Sequence, residues 1–482
     1  MKKATLILIF SFLLSGVFAQ NQTDALRYSQ IEFGGTARSM GVAGAFGAVG
    51  GDFSTLSTNP AGMGFYRSSE FTISPAINHS VTNSTFFGEN HEESQYDIAL
   101  QNFGVILSFT QHGKYSGWNN FQFGIGKNRL IDFNNGIHTE GFNTETSILT
   151  GYADYANNFG NVGKAPDNMY AFDTYLAYET DLLFDRDTTN AYLWTVDLPG
   201  GQVTQRIITE TRGYIDEMTI SFSGNYKNRL YFGTTIGVPT IDYTREVIYK
   251  EFDTQNNSEY FNSLTRTETL HTTGTGINLK LGMIFRATKW LRLGAAYHTP
   301  TFYNDMQDNW TAHMTSTFDN GDHYSSGTPQ GKYNYELETP ARLIGSAAFF
   351  IGQNGFLSID YETVDYSSAK LSSDGGDFSD ANNNIHNLYS KQNNLRIGTE
   401  WRFDNFYFRG GYANYGSAAD GTTIKEFKTL GLGYKTRYFG LDLAFVNSEY
   451  DSDYYIYDAG YVPSASNTHE TNQFILTFSY KF

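Results

Sequence analysis

No group of residues in this chain is spaced for making or breaking bonds. Ten histidines are scattered along it. Neither Gly-x-Ser-x-Gly nor His-Glu-x-x-His occurs, so the nucleophile elbow and the helical zinc pair are both missing. There is no cysteine, which excludes thiolate catalysis, a disulfide framework and zinc sites built on sulfur. Asp374, Asp377 and Asp380 offer oxygen donors of the kind calcium takes. They lack the twelve-residue loop pattern, however, and read first as part of a solvated loop. The expectation is a protein that is not an enzyme and uses no cofactor or metal.

The chemistry that does stand out is electrostatic. Lys280, Arg292, Arg342, Asp360, Glu362, Arg396, Glu400, Arg402 and Asp442 each alternate with apolar neighbours. In a strand, alternate side chains point to opposite faces. If the apolar face meets lipid, an outward charge at mid-bilayer would cost about 2 to 4 kcal/mol. These residues are therefore expected to form a network inside a barrel, or to lie at its rim. Pairing with one another and with the backbone of an internal segment is the simpler role; contact with a ligand carboxylate or a haem propionate is the sharper one.

The elements that would position them follow from the same period. Phe474, Leu476, Phe478, Tyr480 and Phe482 alternate with Ile475, Thr477, Ser479 and Lys481. A helix would scatter those aromatics, whereas a strand puts them on one face. Fourteen such segments recur, at roughly 68–79, 94–111, 117–132, 203–226, 228–249, 258–287, 290–318, 330–350, 354–371, 391–403, 404–414, 423–436, 438–456 and 469–482. Connections alternate between long (80–93, 133–202, 250–257, 319–329, 372–390, 415–422, 457–468) and short (Tyr226-Lys227-Asn228, Gln353-Asn354-Gly355, Asp404-Asn405). Long on one side and short on the other separates external loops from periplasmic turns. An even count allows closure, and a barrel in lipid has no open edge. The fold class is all-β: a 14-stranded antiparallel transmembrane outer-membrane β-barrel, at 68–482, with its largest extracellular loop at 133–202.

Composition agrees. Aromatic residues make up 16% and charged residues only 17%, where an ordinary globular protein has about 25% charged. A secreted two-sheet sandwich would carry Lys and Glu on its outward faces, which the last strand does not. Residues 1–19 read as a signal peptide, with Lys2 and Lys3 before the apolar run from Ala4 to Phe18 and small residues at Val17 and Ala19. Of 33 basic residues those two belong to the leader, against 50 acidic ones. That balance excludes nucleic acid as a partner.

Two segments depart from the barrel rhythm. In 133–202, Ile148, Tyr152, Tyr155 and Phe159 recur at helical spacing, and Met169, Phe172 and Leu176 do so again. Short amphipathic helices there would pack as a lid, or Tyr152, Tyr155, Phe159 and Phe172 would line a groove where an apolar ligand lands. Residues 20–67 are rich in Gly and Ala and too few to build a core. They suit a plug, or hatch, threaded through a confined lumen. Asn59-Pro60-Ala61-Gly62 then reads as a turn, with Asn59 extended before Pro60 and Gly62 free to take positive φ.

At these residues the sequence resembles the FadL/TodX family of outer-membrane transport proteins for hydrophobic compounds. The likeness lies in Gly35-Thr36-Ala37-Arg38-Ser39-Met40-Gly41, Gly44-Ala45-Phe46 and above all Asn59-Pro60-Ala61-Gly62, with weaker matches in Leu293-Gly294-Ala295-Ala296-Tyr297-His298-Thr299-Pro300 and Thr339-Pro340. It implies fourteen strands, an N-terminal hatch gated through Arg38, Phe46, Asn59, Pro60, Ala61 and Gly62, and uptake of an apolar ligand that leaves sideways through the barrel wall. One departure is Gly51-Asp52, where the family usually has paired acids. Outer-membrane lipid and an apolar small molecule are the implied partners, and Phe482 is the expected recognition residue for barrel-assembly machinery. The alternative is an accessory barrel that transports nothing and holds other outer-membrane barrel proteins in an assembly or secretion complex.

Overall fold

The computed structural model describes residues 21–110, 117–157, 163–186, 192–198, 200–419 and 423–482. The signal peptide expected at 1–19 and the loop residue Phe159 lie outside the described residues. The chain opens with helices α1 (Gln22–Ser29), α2 (Ala37–Met40) and α3 (Thr55–Thr58) and a 3₁₀ turn at Pro60–Phe65. A closed barrel of fourteen antiparallel strands follows. They are β1 (Glu70–Phe86), β2 (Glu89–Thr110), β3 (Trp118–Asp132, then Asn135–Asn143), β4 (Val203–Tyr226), β5 (Leu230–Phe252), β6 (Phe261–Arg286) and β7 (Leu291–His298, then Phe302–Phe318). The second half is β8 (His323–Gly327, Gly331–Glu338 and Arg342–Ile351), β9 (Gly355–Asp365, then Lys370–Ser372), β10 (Lys391–Phe403), β11 (Phe406–Gly416), β12 (Ile424–Lys435), β13 (Phe439–Tyr454) and β14 (Ala465–Lys481). Closure is made by β1 on β14, from Glu70↔Lys481 to Thr85↔Ser466.

The outward face identifies the solvent. On β6, Ile277, Leu279, Leu281, Met283 and Phe285 all point out and are exposed. Above Ile277 the outward positions turn polar, at Thr275 and Thr273. A nine-residue apolar run is the length a tilted strand needs to cross hydrocarbon. β6 has 26 residues, so most of it stands above the bilayer. Trp290, Trp401, Phe403, Phe406, Tyr438, Phe439 and Phe482 are exposed around the short-turn end, forming an interfacial aromatic girdle. No helix among the described residues is long and apolar enough to cross a membrane; the crossing is made by strands.

The short turns lie where the sequence placed them. Lys227 and Asn228 both have positive φ, 53° and 54°, and the Arg229 N–H donates to the Tyr226 carbonyl at 3.0 Å, so they are the central residues of a primed β-turn whose twist suits the strands. The first external connection differs from the expectation. Instead of a loop over 80–93, β1 and β2 continue as a hairpin to a tight turn at Phe87-Gly88, with φ of 48° and 84°. Above the membrane both faces of this hairpin are polar, so the strand persists while its apolar period disappears. Likewise β3 continues through Asn143, so the connection expected over 133–202 begins as strand.

The plug fills the lumen. α1 opens with a capping box: Asn21 Oδ1 accepts from the Thr23 and Asp24 N–H groups, and Asp24 Oδ2 accepts from the Asn21 N–H. α1 lies high in the barrel against α6 (Ser379–Leu388). Its Tyr28 is buried edge-on to Tyr243 and Phe133. The Ala37 N–H donates to Thr477 Oγ1 on β14 at 2.7 Å. The 3₁₀ turn rests on β4, β5 and β6, and the Phe482 N–H donates to the Ser69 carbonyl where the plug joins β1.

Candidate functional site

The charges picked out by strand parity are brought together in separate groups inside the lumen, each holding part of the plug. At the periplasmic end Arg38 of α2 donates from Nε and Nη2 to the two carboxylate oxygens of Glu400, both at 2.9 Å, and from Nη1 to the Gly51 carbonyl at 2.8 Å. Arg409 bridges Glu400 (2.6 Å) and Asp442 (2.8 Å), and Lys435 lies 3.4 Å from Asp442. Higher up, Arg396 faces Glu362 at 3.5 Å and Asp360 at 4.0 Å. Arg342 donates to Glu362 at 3.2 Å and to the Ser29 carbonyl at 2.6 Å. The Gly47 N–H donates to Asp360 at 2.9 Å. Lys280 pairs with Glu217, which also accepts from Ser57 of α3 at 3.0 Å. Arg292 lies between the rings of Phe65 and Phe350, about 4 Å from each centroid, and donates to the Val49 carbonyl. Buried pairs of this kind add little net stability, but they fix where the plug sits. Arg402 does not join them: it is exposed at the rim and donates to the Asp404 carbonyl in the short turn.

The Asn59-Pro60 segment is held by fit. Asn59 is extended, with φ −145° and ψ 99°. Its Nδ2 donates to the Gly47 carbonyl at 2.7 Å and reaches the Met283 and Ala295 carbonyls at 3.4 Å, while Oδ1 accepts from the Ala61 N–H. The wall makes room for it: a Cβ at Gly282 would lie 2.1 Å from Asn59 Oδ1, and one at Gly233 2.2 Å from the Pro60 carbonyl carbon. Gly62 departs from the expectation. It is not among the positive-φ glycines; glycine is required because a Cβ would lie 2.7 Å from Thr55 Cγ2. Phe46 is buried edge-on to Phe356, with the Arg38 guanidinium 5.1 Å from its centroid.

The wall itself is interrupted at β3, and period-two reasoning missed this. β2 and β3 pair only from Thr110↔Asn120 to Asn102↔Asn128. Leu130 is an extra residue against β4, between Arg129↔Asp216 and Ile131↔Ile215. There β3 turns into the lumen and crosses the inner face of β1. Asn78 Nδ2 donates to Asp132 Oδ2 at 3.0 Å, Ser80 Oγ to the Asn134 carbonyl at 3.2 Å and Thr82 Oγ1 to Asn135 Oδ1 at 3.1 Å. Its upper segment pairs with β4 alone. Glu89–Gln101 of β2 therefore has no ladder partner on that side among the described residues. The gap reaches down into the apolar belt, since Ile98 lies opposite Ile77; Tyr96 and Ile98 are 75% and 82% exposed there.

A cavity of about 100 Å³ lies behind the gap, between the β3 kink, the plug at Glu32-Phe33-Gly34 and the β12–β14 wall. The plug is seated on the kink. The Glu32 N–H donates to the Leu130 carbonyl, and a Cβ at Gly34 would lie 2.4 Å from the Arg129 carbonyl oxygen. A second cavity of about 210 Å³ lies near the short-turn end and is lined by Arg38, Asp52, Glu70, Lys435, Asp442 and Lys481 among others. The lumen toward the short turns is thus charged, whereas the unpaired stretch of β2 borders the outward apolar face.

No protein-family model matches the sequence, and no curated protein does. Solved structures do. A FadL homologue from Pseudomonas aeruginosa superposes with a TM-score of 0.57 at 12% identity, over 94% of this chain and 99% of that one. The toluene transporter TodX of Pseudomonas putida gives 0.54 at 14%, over 93% and 99%. The toluene transporter TbuX of Ralstonia pickettii gives 0.51 at 14%, over 93% and 99%. The chain has the fold of these channels. At such identities the fold is what is shared, so side-chain roles rest on this chain's own geometry.

The external cap of this channel fold is a small core of its own. α4 (Ile148–Asn157) and α5 (Thr174–Glu179) bury Leu149, Tyr152 and Leu176 with Trp194 and Phe261. Tyr152 is buried in that core, Phe172 packs on Trp310, and Tyr155 is half-buried under Lys164. Glu251 of β5 latches the cap by accepting from the Ile148 N–H at 2.8 Å and from Ser147 and Tyr249. Asp377 accepts from the Ser379 N–H and hydroxyl. Among the described residues no three His, Asp or Glu side chains gather as a metal site.

Proposed function

We propose that this chain is an outer-membrane channel that admits apolar or amphipathic small molecules from outside, bars the straight path with its plug, and releases them sideways between β2 and β3. The observation that carries the reading is the unpaired stretch of β2 beside the inward kink of β3. An open edge at membrane depth is otherwise excluded, because backbone groups left unpaired in hydrocarbon cost several kcal/mol each. Such a gap is tolerated where it lines a passage. The likeness in fold to toluene transporters and a FadL homologue supports the same reading. In this account Arg38, Phe46 and Asn59 to Gly62 hold the plug. Lys280, Arg292, Arg342, Asp360, Glu362, Arg396, Glu400 and Asp442 keep the lower lumen closed to apolar solutes.

The test is uptake of labelled toluene and decane by cells with and without the chain, and with Leu130 deleted. Deletion removes the extra residue that turns β3 inward and should cut uptake severalfold while heat-modifiable barrel still accumulates. Uptake that does not depend on the chain would make transport the wrong function. Uptake that needs the chain but ignores the deletion would move the exit elsewhere.

A further inference from the structure

We propose that the cavity at the β3 kink binds the uncharged, hydrogen-bonding head of an amphiphile, a hydroxyl or amide, and discriminates against carboxylates. The inference rests on the sideways passage proposed above and names what that passage selects.

Gln101 is the first observation. The register of β2 against β1 jumps from Ser74↔Asn102 to Pro75↔Leu100, so Gln101 is the extra residue of a bulge, a feature that re-aims a side chain. Gln101 and Asn102 therefore both face inward. Gln101 is 2% exposed, lines the cavity, and its Nε2 has no hydrogen-bond partner. A buried donor left unpaired is costly; a ligand oxygen would satisfy it. Asn78, Ser448, Thr471 and Gln473 add uncharged polar groups to a lining that also holds Glu32, Arg129, Asp132 and Lys425.

The charges around the cavity are the second observation. Lys425 is paired with Glu32 at 2.5 Å. Arg129 is shared between Asp216 at 3.0 Å and Asp132 at 3.1 Å, and Lys127 is also on Asp216. No cation of this group is left for a carboxylate. Asp97, opposite Asn78 in the ladder, adds an acid whose Oδ2 is unpartnered. The chain of such a ligand extends past Phe33, Leu130 and Ile131, which also line the cavity, toward Ile98 and the lipid.

The experiment uses the full chain in nanodiscs and equilibrium dialysis of labelled 1-decanol, decanoate and decane at pH 8, with empty discs subtracted. Saturable decanol binding, at least tenfold tighter than decanoate, is expected. Gln101→Leu should abolish the preference of decanol over decane. Glu32→Gln releases Lys425 and should strengthen decanoate binding about fivefold. Equal binding of decanoate and decanol, or a decanol preference that survives Gln101→Leu, overturns the inference. If Gln101→Leu does not fold, Glu32→Gln decides, and no gain for decanoate overturns it. Selective decanol binding in a protein whose cells show no chain-dependent uptake would leave this site standing and remove the channel reading; uptake without selectivity would do the reverse.

Discussion

Replacing Arg38 with Met should unlock the plug at its periplasmic end. The side chain gives up two hydrogen bonds to Glu400 and one to the Gly51 carbonyl. Breaking a buried pair by removing one partner costs about 3 to 5 kcal/mol. The lower end applies here, since Glu400 keeps Arg409 at 2.6 Å. The barrel ladder does not depend on Arg38, so about 3 kcal/mol falls on plug seating alone. At about 1.4 kcal/mol per factor of ten, the unseated fraction rises roughly a hundredfold. Planar-bilayer recording should show this as a comparable rise in open probability, and cells should admit a small hydrophilic antibiotic that the parent excludes. Arg38→Met combined with Glu400→Gln should fall short of the sum of the two changes, because both remove one contact. An open probability within twofold of the parent, together with strict additivity, would refute the argument that this pair locks the plug.

Asn59→Ala should loosen the opposite side by about 1 to 3 kcal/mol through the lost donor to Gly47, read as a smaller conductance rise with unchanged barrel heat-modifiability. Phe482→Asp should slow insertion more than it weakens the finished barrel, since Phe482 is exposed and contributes one backbone bond, to Ser69; unchanged yield of folded protein in pulse-labelled cells would count against a recognition role. Protease on intact cells should cut within 133–202 or 372–390 and spare the turns at 226–229 and 404–405, and cleavage at those turns would invert the topology.

The strand count was legible because the lipid belt imposes an apolar residue at every second position, as at Phe474 to Phe482. The inward charges were legible for the same reason, and parity reaches one residue more. Arg409 lies between Phe408 and Gly410, out of phase with Phe406 and Phe408, and the same test finds it. Glu217 and Asp216 escape it because β4 carries adjacent charges on both faces. The kink at Arg129-Leu130-Ile131 has no Gly or Pro to announce it; it arises from one extra residue and from hydrogen bonds to β1 that no local pattern encodes. The bulge at Gln101 was hinted at by Pro75, a residue that strands carry at edges and bulges. The β1–β2 hairpin above the membrane reads as a loop in the sequence because water on both faces erases the alternation.

The bond from Ala37 to Thr477 joins residues 440 apart, and glycines with no room for a Cβ face the plug from β5, β6 and β10, at Gly233, Gly282 and Gly398. An insert held from so many sides cannot be slid into a finished cylinder. It has to be in place when the first and last strands meet. The segment emerging first from synthesis must then wait, without its final contacts, until the end of the chain arrives. The closing seam becomes the slow step, as expected where non-local pairings dominate, and the plug acts as the form around which the wall is wrapped. A substitution that enlarges one of those glycines would therefore appear first as a barrel that fails to close, and only in the survivors as one that leaks.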